Sequence, residues 1–211
     1  MTVKIEISEE LEAYFSNRDT YAAVNFTVNG ADSNWDELSF NEFDNNDFSE
    51  YKNYSDAWIY SKKIQKDYFD FLADLWARSW ALLISENLKE NVQVANFEDI
   101  DSVWGDSGWH RVFKIKSPKA FDEIWLYCES IQTNENLSGI KLMICLGKDE
   151  GYEMKGLKAP TSDWEKEKDG GDHYFVKILN AELSNKSIKI EGIDVAMKEA
   201  KAFLLKEAFK S

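Results

Sequence analysis

Cysteine and proline are both scarce in this 211-residue sequence, with two of each. Cys128 and Cys145 are too few for the disulfide framework of a small secreted domain, and they form no Cys-x-x-Cys pair for zinc or redox chemistry. Each lies in an apolar stretch, where a reduced cysteine behaves as a small hydrophobic residue. We expect both to pack in the core of a protein that resides in the reducing cytoplasm.

Long apolar runs and an excess of positive charge are also missing. No apolar run approaches the roughly 20 residues that a membrane-spanning helix needs, and charges interrupt the first ten positions, where a signal peptide would be apolar. Lysine and arginine total 25 against 39 acidic residues, which gives a net charge of −14. Non-specific nucleic-acid binding requires cations that displace counterions from phosphates. We therefore expect no membrane partner and no non-specific binding of nucleic acid.

Periodicity along the whole sequence predicts an α+β fold, in which a mostly antiparallel sheet packs against a long aromatic-rich helix and a C-terminal helix. Alternation predicts strands at Thr2 to Ile7 and Thr20 to Val28, with a helix between them whose N-cap is Ser8. Helical spacing from about Ser55 to Lys89 predicts the long helix, capped by Ser55 or Asp56 and interrupted by a kink. The side chains that it should bury include Trp58, Tyr68, Phe71, Leu75 and Trp76.

The second half of the sequence is predicted to be rich in strands. Three consecutive strands should form a meander, at Trp109 to Lys116, Glu123 to Ile131 and Gly139 to Leu146. Further strands at His173 to Leu179 and Ser187 to Ile190 follow a charged loop from Lys148 to Asp172. A closing helix from about Asp194 to Phe209, with Asp194 as its N-cap, completes a single domain over residues 1–211. A division into residues 1–90 and 91–211 is the alternative.

Residues 31 to 54 have no regular period and combine seven acidic with six aromatic residues. The acids repel one another, while the aromatic side chains are costly to leave in water. A partner-binding surface reconciles the two, because aromatic anchors are favoured at interface centres and acids steer a basic partner toward them. The alternative is that the aromatic side chains pack beneath the long helix. The predicted partner-binding residues are Trp35, Asp36, Glu37, Phe40, Phe43, Asp44, Asp47, Phe48 and Glu50.

A short pattern supplies an alternative, enzymatic hypothesis. Glu153, Met154 and Lys155 resemble the Glu-x-Lys sequence of PD-(D/E)xK nucleases over these three residues. The resemblance implies a metal-dependent nuclease in which Glu153 binds Mg²⁺ and Lys155 lies beside the attacking water. Asp149 and Glu129 are the nearest candidates for the further carboxylate, but neither follows a proline as the family pattern requires.

Histidine, metal and cofactor patterns are sparse. His110 and His173 each begin a predicted strand with an aspartate nearby, which is compatible with acid-base chemistry and equally typical of a polar strand end. The sequence contains no zinc-ligand spacing, no complete calcium loop and no glycine-rich phosphate loop. We predict no metal site and no cofactor. The sequence favours a non-enzymatic, acidic protein-binding module of the antitoxin, immunity-protein or inhibitor kind, engaging a basic protein partner.

Overall fold

The computed structural model describes residues 2–17, 20, 24, 48–94, 108–116, 121–133, 136–147, 157–169 and 172–209. At 48–55, 57, 94, 133, 167–169, 172 and 173 it describes the backbone alone. Helices and two antiparallel sheets make up the described part of the chain, which confirms the predicted α+β class.

The elements are numbered in chain order. The strands are β1 (Thr2–Glu6), β2 (Val92–Val94), β3 (Gly108–Ile115), β4 (Glu123–Thr133), β5 (Asn136–Gly147), β6 (Glu165–Asp169), β7 (Asp172–Leu179), β8 (Ala181–Leu183) and β9 (Ser187–Glu191). The helices are α1 (Glu9–Ser16), α2 (Phe48–Trp76) and α3 (Ile193–Glu207), and two π-helical turns, Ala77–Ala81 and Ile84–Leu88, extend α2.

The larger sheet has six strands in the order β2-β3-β4-β5-β7-β6, and every described pairing in it is antiparallel. The predicted meander is therefore confirmed as β3, β4 and β5. The strand predicted at Ser187 to Ile190 exists as β9, but it lies in a separate three-stranded sheet of order β1-β9-β8. The chain leaves the larger sheet at the end of β7 and enters the smaller one at β8, with only Asn180 between them.

Helix α1 begins where the sequence predicts it. The Ser8 hydroxyl accepts a hydrogen bond from the backbone N–H of Leu11 at 3.1 Å and donates one to the Asp67 carboxylate at 2.5 Å. The first contact caps the helix, and the second fixes its start against α2. Acidic residues in the first turn, Glu9, Glu10 and Glu12, lie at the positive end of the helix dipole.

Helix α2 buries the aromatic seam that its periodicity predicts. Tyr68, Phe71, Leu75 and Trp76 are each at most 6% exposed. The start of the helix and one of its buried residues were predicted wrongly. It begins at Phe48, a full two turns before Ser55, and Trp58 is only half-buried, with Lys62 over its ring.

The predicted interruption of the long helix takes the form of the two π-helical turns. A π turn inserts an extra residue, so it rotates the buried face of the helix without breaking the backbone hydrogen bonds. Trp80 lies within the first π turn. Its side chain is fully buried, and its indole N–H donates to the Tyr127 carbonyl at 2.8 Å. The rotation thus keeps an aromatic side chain against the sheet beyond the end of α2.

Helix α3 packs on the same side of the larger sheet as α2. Phe203 meets Phe175 of β7 edge to face at a centroid distance of 4.9 Å. The helix starts one residue before Asp194, which therefore lies in the first turn and is not the N-cap. Gly192 precedes the helix with a φ of 83°, a left-handed conformation in which glycine carries no steric cost.

Other predicted boundaries also change. The strand predicted at Thr20 to Val28 is wrong at Thr20 and Val24, the two residues of that stretch that the structure describes, because both are helical. Val24 is 1% exposed, and its spacing of four from Thr20 fits a helix face as well as a strand. The charged loop predicted from Lys148 to Asp172 contains β6, whose alternating charges suit the exposed edge of a sheet.

The turn between β8 and β9 is tight although it contains no glycine. Asn185 and Lys186 both have positive φ, at 45° and 54°, as a type I′ hairpin requires. Helix α1 supports this conformation, since Glu12 accepts a hydrogen bond from the Lys186 backbone N–H at 3.1 Å and Glu9 one from its ammonium group at 2.8 Å.

Replacing Trp76 by alanine should lower the free energy of unfolding by about 3 to 5 kcal/mol, because it empties an aromatic site at the centre of the core. Trp58→Ala is the matched control and should cost less than about 2 kcal/mol, since its ring is only half-buried. Urea unfolding of both variants checks the difference. Equal losses would contradict the assignment of Trp76 as the central core residue.

Candidate functional site

The larger sheet has a second face, which we call the outer face, on the side opposite α2 and α3. Alternate residues of its strands point there: Val112 and Trp125 pair across β3 and β4, and Cys145 and Tyr174 continue the row across β5 and β7. Antiparallel sheets commonly carry polar residues on the side away from the core. Here Val112, Cys145 and Val176 are at most 6% exposed, so apolar residues line both faces.

Four half-buried rings form a cluster on the outer face. His110 lies 4.7 Å from Tyr127, its cross-strand partner, and stacks on Trp125 at 6.2 Å with an interplanar angle of 7°. Trp125 and Tyr127 are 6.2 Å apart, and Tyr174 meets Tyr127 edge to face at 5.7 Å. Such pairs stabilise the sheet by cross-strand contact, and the same residue types are enriched at the centres of protein interfaces.

Charged residues of both signs surround the ring cluster. Glu123 accepts a hydrogen bond from the Trp125 indole N–H at 3.1 Å, and it pairs with Lys114 in the strand register. Glu129 lies 3.6 Å from the Lys141 ammonium group on β5. An apolar centre with a charged rim is the usual anatomy of a protein-binding surface.

The partner-binding residues predicted from the sequence fall mostly outside the described residues. Trp35, Asp36, Glu37, Phe40, Phe43, Asp44 and Asp47 all do so, and for Phe48 and Glu50 the structure gives only backbone positions within α2. Their role as a binding surface therefore stays a prediction.

The residues of the nuclease hypothesis, Asp149, Glu153 and Lys155, also lie outside the described residues. Glu129 is among the described residues, and its carboxylate forms an ion pair with Lys141 at 3.6 Å. Within the described ranges, no group of three or more His, Cys, Asp and Glu residues is placed to hold a metal ion. His110 belongs to the aromatic cluster, and His173 lies in β7 with its backbone alone described.

A buried ion pair joins α3 to β7 on the core side of the sheet. The Lys177 ammonium group lies 2.6 Å from the Glu199 carboxylate, and the Trp164 indole N–H donates to the same oxygen at 2.9 Å. Burial acts to raise the pKa of Glu199, but the hydrogen bonds from Lys177 and Trp164 outweigh it and lower that pKa below its ordinary value. With every polar group paired, the arrangement is a structural link between elements.

Two further ionisable groups lie deep in the core beside α2. The Tyr68 hydroxyl is 2.8 Å from that of Ser130, and the Cys128 thiol lies 3.5 Å from the Leu72 carbonyl. Burial raises the pKa of both Tyr68 and Cys128 well above their ordinary values, so neither supplies a nucleophile near neutral pH. Both cysteines are free thiols and buried as predicted, but only Cys128 belongs to the core cluster, since Cys145 lies on the outer face of the sheet.

Comparisons with known proteins identify no relative. No protein-family model matches the chain, no curated protein matches its sequence, and no solved structure matches its fold. None of the helices in the described ranges has the length and apolar character needed to cross a membrane.

The ring cluster could have been found in part from the sequence. Alternation along β3 places His110, Val112 and Lys114 on one side, and alternation along β4 does the same for Trp125 and Tyr127. Whether these two sets lie on the same face of the sheet, and which residues pair, depends on the strand register. Alternation does not supply that register. The pairing of His110 with Tyr127 is therefore a result of the structure.

Replacing Glu199 by glutamine should lower the free energy of unfolding by about 1 to 3 kcal/mol at neutral pH, because it removes the nearer counterion of the buried Lys177 ammonium group and leaves only the exposed Asp163 carboxylate, 3.9 Å away. The folded-state pKa of Glu199 is lowered, so its contribution is present above the unfolded-state pKa and is lost as the pH falls through the folded-state value. The difference between wild type and variant should thus shrink as the pH falls below about 4.5.

Denaturant unfolding measured over a pH series checks this expectation. Asp70→Asn is the control, because it removes one partner of the exposed pair with Lys66 and should change stability by less than about 0.5 kcal/mol. A difference between wild type and Glu199→Gln that did not vary with pH would contradict an ionised Glu199 in the folded protein.

Proposed function

We propose that this chain is an acidic protein-binding module, of the antitoxin, immunity-protein or inhibitor kind, that engages a basic protein partner. The binding residues are the acidic and aromatic side chains between residues 31 and 54. The observation that carries the proposal is the concentration of acidic and aromatic residues in that stretch of the sequence.

Several acids of α1 and α2 are paired with cations at the surface of the fold. Glu9 pairs with Lys186 and Glu10 with Lys63, and on α2 the pairs Lys66–Asp70 and Asp74–Arg78 span one helical turn each. These contacts neutralise acidic residues of α1 and α2 with nearby cations. The charge that attracts a partner is therefore sought elsewhere in the chain.

The stretch from residue 18 to 47 holds seven acidic residues and a single cation, Arg18. It also holds Trp35, Phe40 and Phe43, which are of the type that anchors protein interfaces. A concentrated negative charge accelerates encounter with a basic protein, and aromatic side chains then provide contact area once the complex has formed. Antitoxins, immunity proteins and inhibitors all work by such stoichiometric binding.

The ring cluster on the outer face gives secondary support to a binding role. Tyrosine and tryptophan combine a large apolar surface with a polar group, a combination that favours interface centres over solvated sheet faces. If the partner does not contact residues 31 to 54, the outer face beside His110, Lys114 and Lys116 is the next surface to test.

The test compares two variants that lose the same number of negative charges at different positions in the chain. The test variant replaces Asp36, Glu37, Asp44, Asp47 and Glu50 by their amides. The matched control makes the same number of changes at exposed acids elsewhere, at Glu86, Glu90, Glu165, Glu182 and Glu191. A partner is first captured from extract of the source cell at low salt, identified and purified, and its association rate with each variant is then measured.

We expect the test variant to associate at least about tenfold more slowly than wild type at low ionic strength, and the control to associate nearly as fast as wild type. The difference should fade between about 0.02 and 0.5 M salt, as the Debye length shrinks from roughly 20 to 4 Å. Equal rates for the two variants would show that only the total charge matters, which would contradict a binding site at residues 31 to 54.

A further inference from the structure

Arg111 occupies an unusual position on β3. Its neighbours two residues away on the same side of the sheet, Trp109 and Phe113, pack against the core, yet the Arg111 side chain is exposed. Its guanidinium carbon lies 5.1 Å from the centre of the Trp109 ring and 5.6 Å from that of Trp76. The two indole rings are themselves 5.0 Å apart and inclined at 58°, so the cation lies over a corner formed by both.

The rings beneath Arg111 are fixed by the core. Trp76 is 6% exposed, donates its indole N–H to the Leu126 carbonyl at 3.2 Å and stacks on Phe113 with an interplanar angle of 10°. A cation over such rings is attracted by their quadrupoles, which restricts the rotamers of an otherwise flexible side chain. Arg111 is therefore held in place before any ligand arrives, and a preorganised group binds at lower entropic cost.

The hydrogen-bond donors of Arg111 have no acidic partner in the described part of the chain. Arg78, by contrast, donates to Asp74 at 2.8 Å, and Lys66 donates to Asp70 at 2.6 Å. Acidic residues outnumber basic ones by 39 to 25, so carboxylates are abundant in this protein. The fold nevertheless positions this guanidinium group on two tryptophans and gives it no described carboxylate.

We propose that Arg111 is an anion-recognition site, which binds a carboxylate or phosphoryl group of a ligand or partner while Trp76 and Trp109 hold it in position. A guanidinium group offers five N–H donors in a planar fork that matches two oxygens of either anion. Contacts between its charge and the aromatic rings do not consume these donors. The proposal does not depend on the proposed function, which concerns a basic partner and residues 31 to 54.

A purely structural role for Arg111 would give a different outcome. The aliphatic stem of an arginine covers apolar surface while its charged end remains in water, and Arg111 would then only shield the two rings. In that case anions would not bind saturably at this position. The acidic net charge also repels anions in general, so saturable binding at Arg111 would identify a local site.

The test uses nuclear magnetic resonance on the isotope-labelled full chain, titrated with inorganic phosphate and separately with acetate at constant ionic strength maintained by sodium chloride. We expect saturable shifts of the Arg111 Nε–H signal and of the Trp76 and Trp109 indole N–H signals. A response to phosphate alone indicates a phosphoryl ligand, and a response to acetate alone indicates a carboxylate. A wild-type protein without a saturable shift at Arg111 would overturn the proposal.

Variants then assign the binding to the guanidinium fork. Arg111→Gln should weaken anion binding at least about tenfold, as expected for the loss of charge-assisted hydrogen bonds. Arg111→Lys keeps the charge but loses the fork, so its affinity should lie between the two. Arg78→Gln removes the same charge from an arginine that already has a partner and should leave the affinity unchanged. Equal affinities for wild type and Arg111→Gln would also overturn the proposal.

Discussion

The packing of α2 against the centre of the larger sheet is the contact on which the other elements depend. Two indole N–H groups, from Trp76 and Trp80, donate to the consecutive carbonyls of Leu126 and Tyr127 in β4. Directional hydrogen bonds of this kind fix the rotation of α2 about its axis and its position along β4. Apolar packing alone leaves both adjustable. The first π-helical turn, which follows Trp76 and contains Trp80, allows both side chains to reach the same strand.

The remaining helices are attached around this contact by polar links at the edge of the core. Ser8 joins the start of α1 to Asp67 on α2, and Glu199 joins α3 to Lys177 of β7. Helices α1, α2 and α3 contribute to one cluster of buried side chains that also includes both sheets. Helices α2 and α3 pack on one side of the larger sheet, and the described residues of its other side include the ring cluster and charged side chains.

Charge is distributed unevenly along the chain. Several acids of α1 and α2 lie beside lysine or arginine at the surface, where each pair offsets its own charge and adds little to stability. Residues 18 to 47 contain seven acids and one arginine, which leaves a concentrated negative charge in a single stretch. Arg111 is the reverse case, a cation supported by aromatic rings.

The sequence by itself determined which side of most elements is apolar, since periods of 2 and 3.6 are local properties of strands and helices. The aromatic seam of α2, the cap at Ser8 and the meander followed from such patterns. Periodicity does not report how far the surface beneath a helix extends, so Trp58 was wrongly predicted as buried.

Only the tertiary structure decided which strands share a sheet and which side chains meet across it. The structure places β9 in the smaller sheet, pairs His110 with Tyr127, and brings Arg111 over Trp76, a residue 35 positions away in the sequence. These contacts join distant parts of the chain. They depend on strand register and on the position of α2 over the sheet, which no short window of sequence encodes.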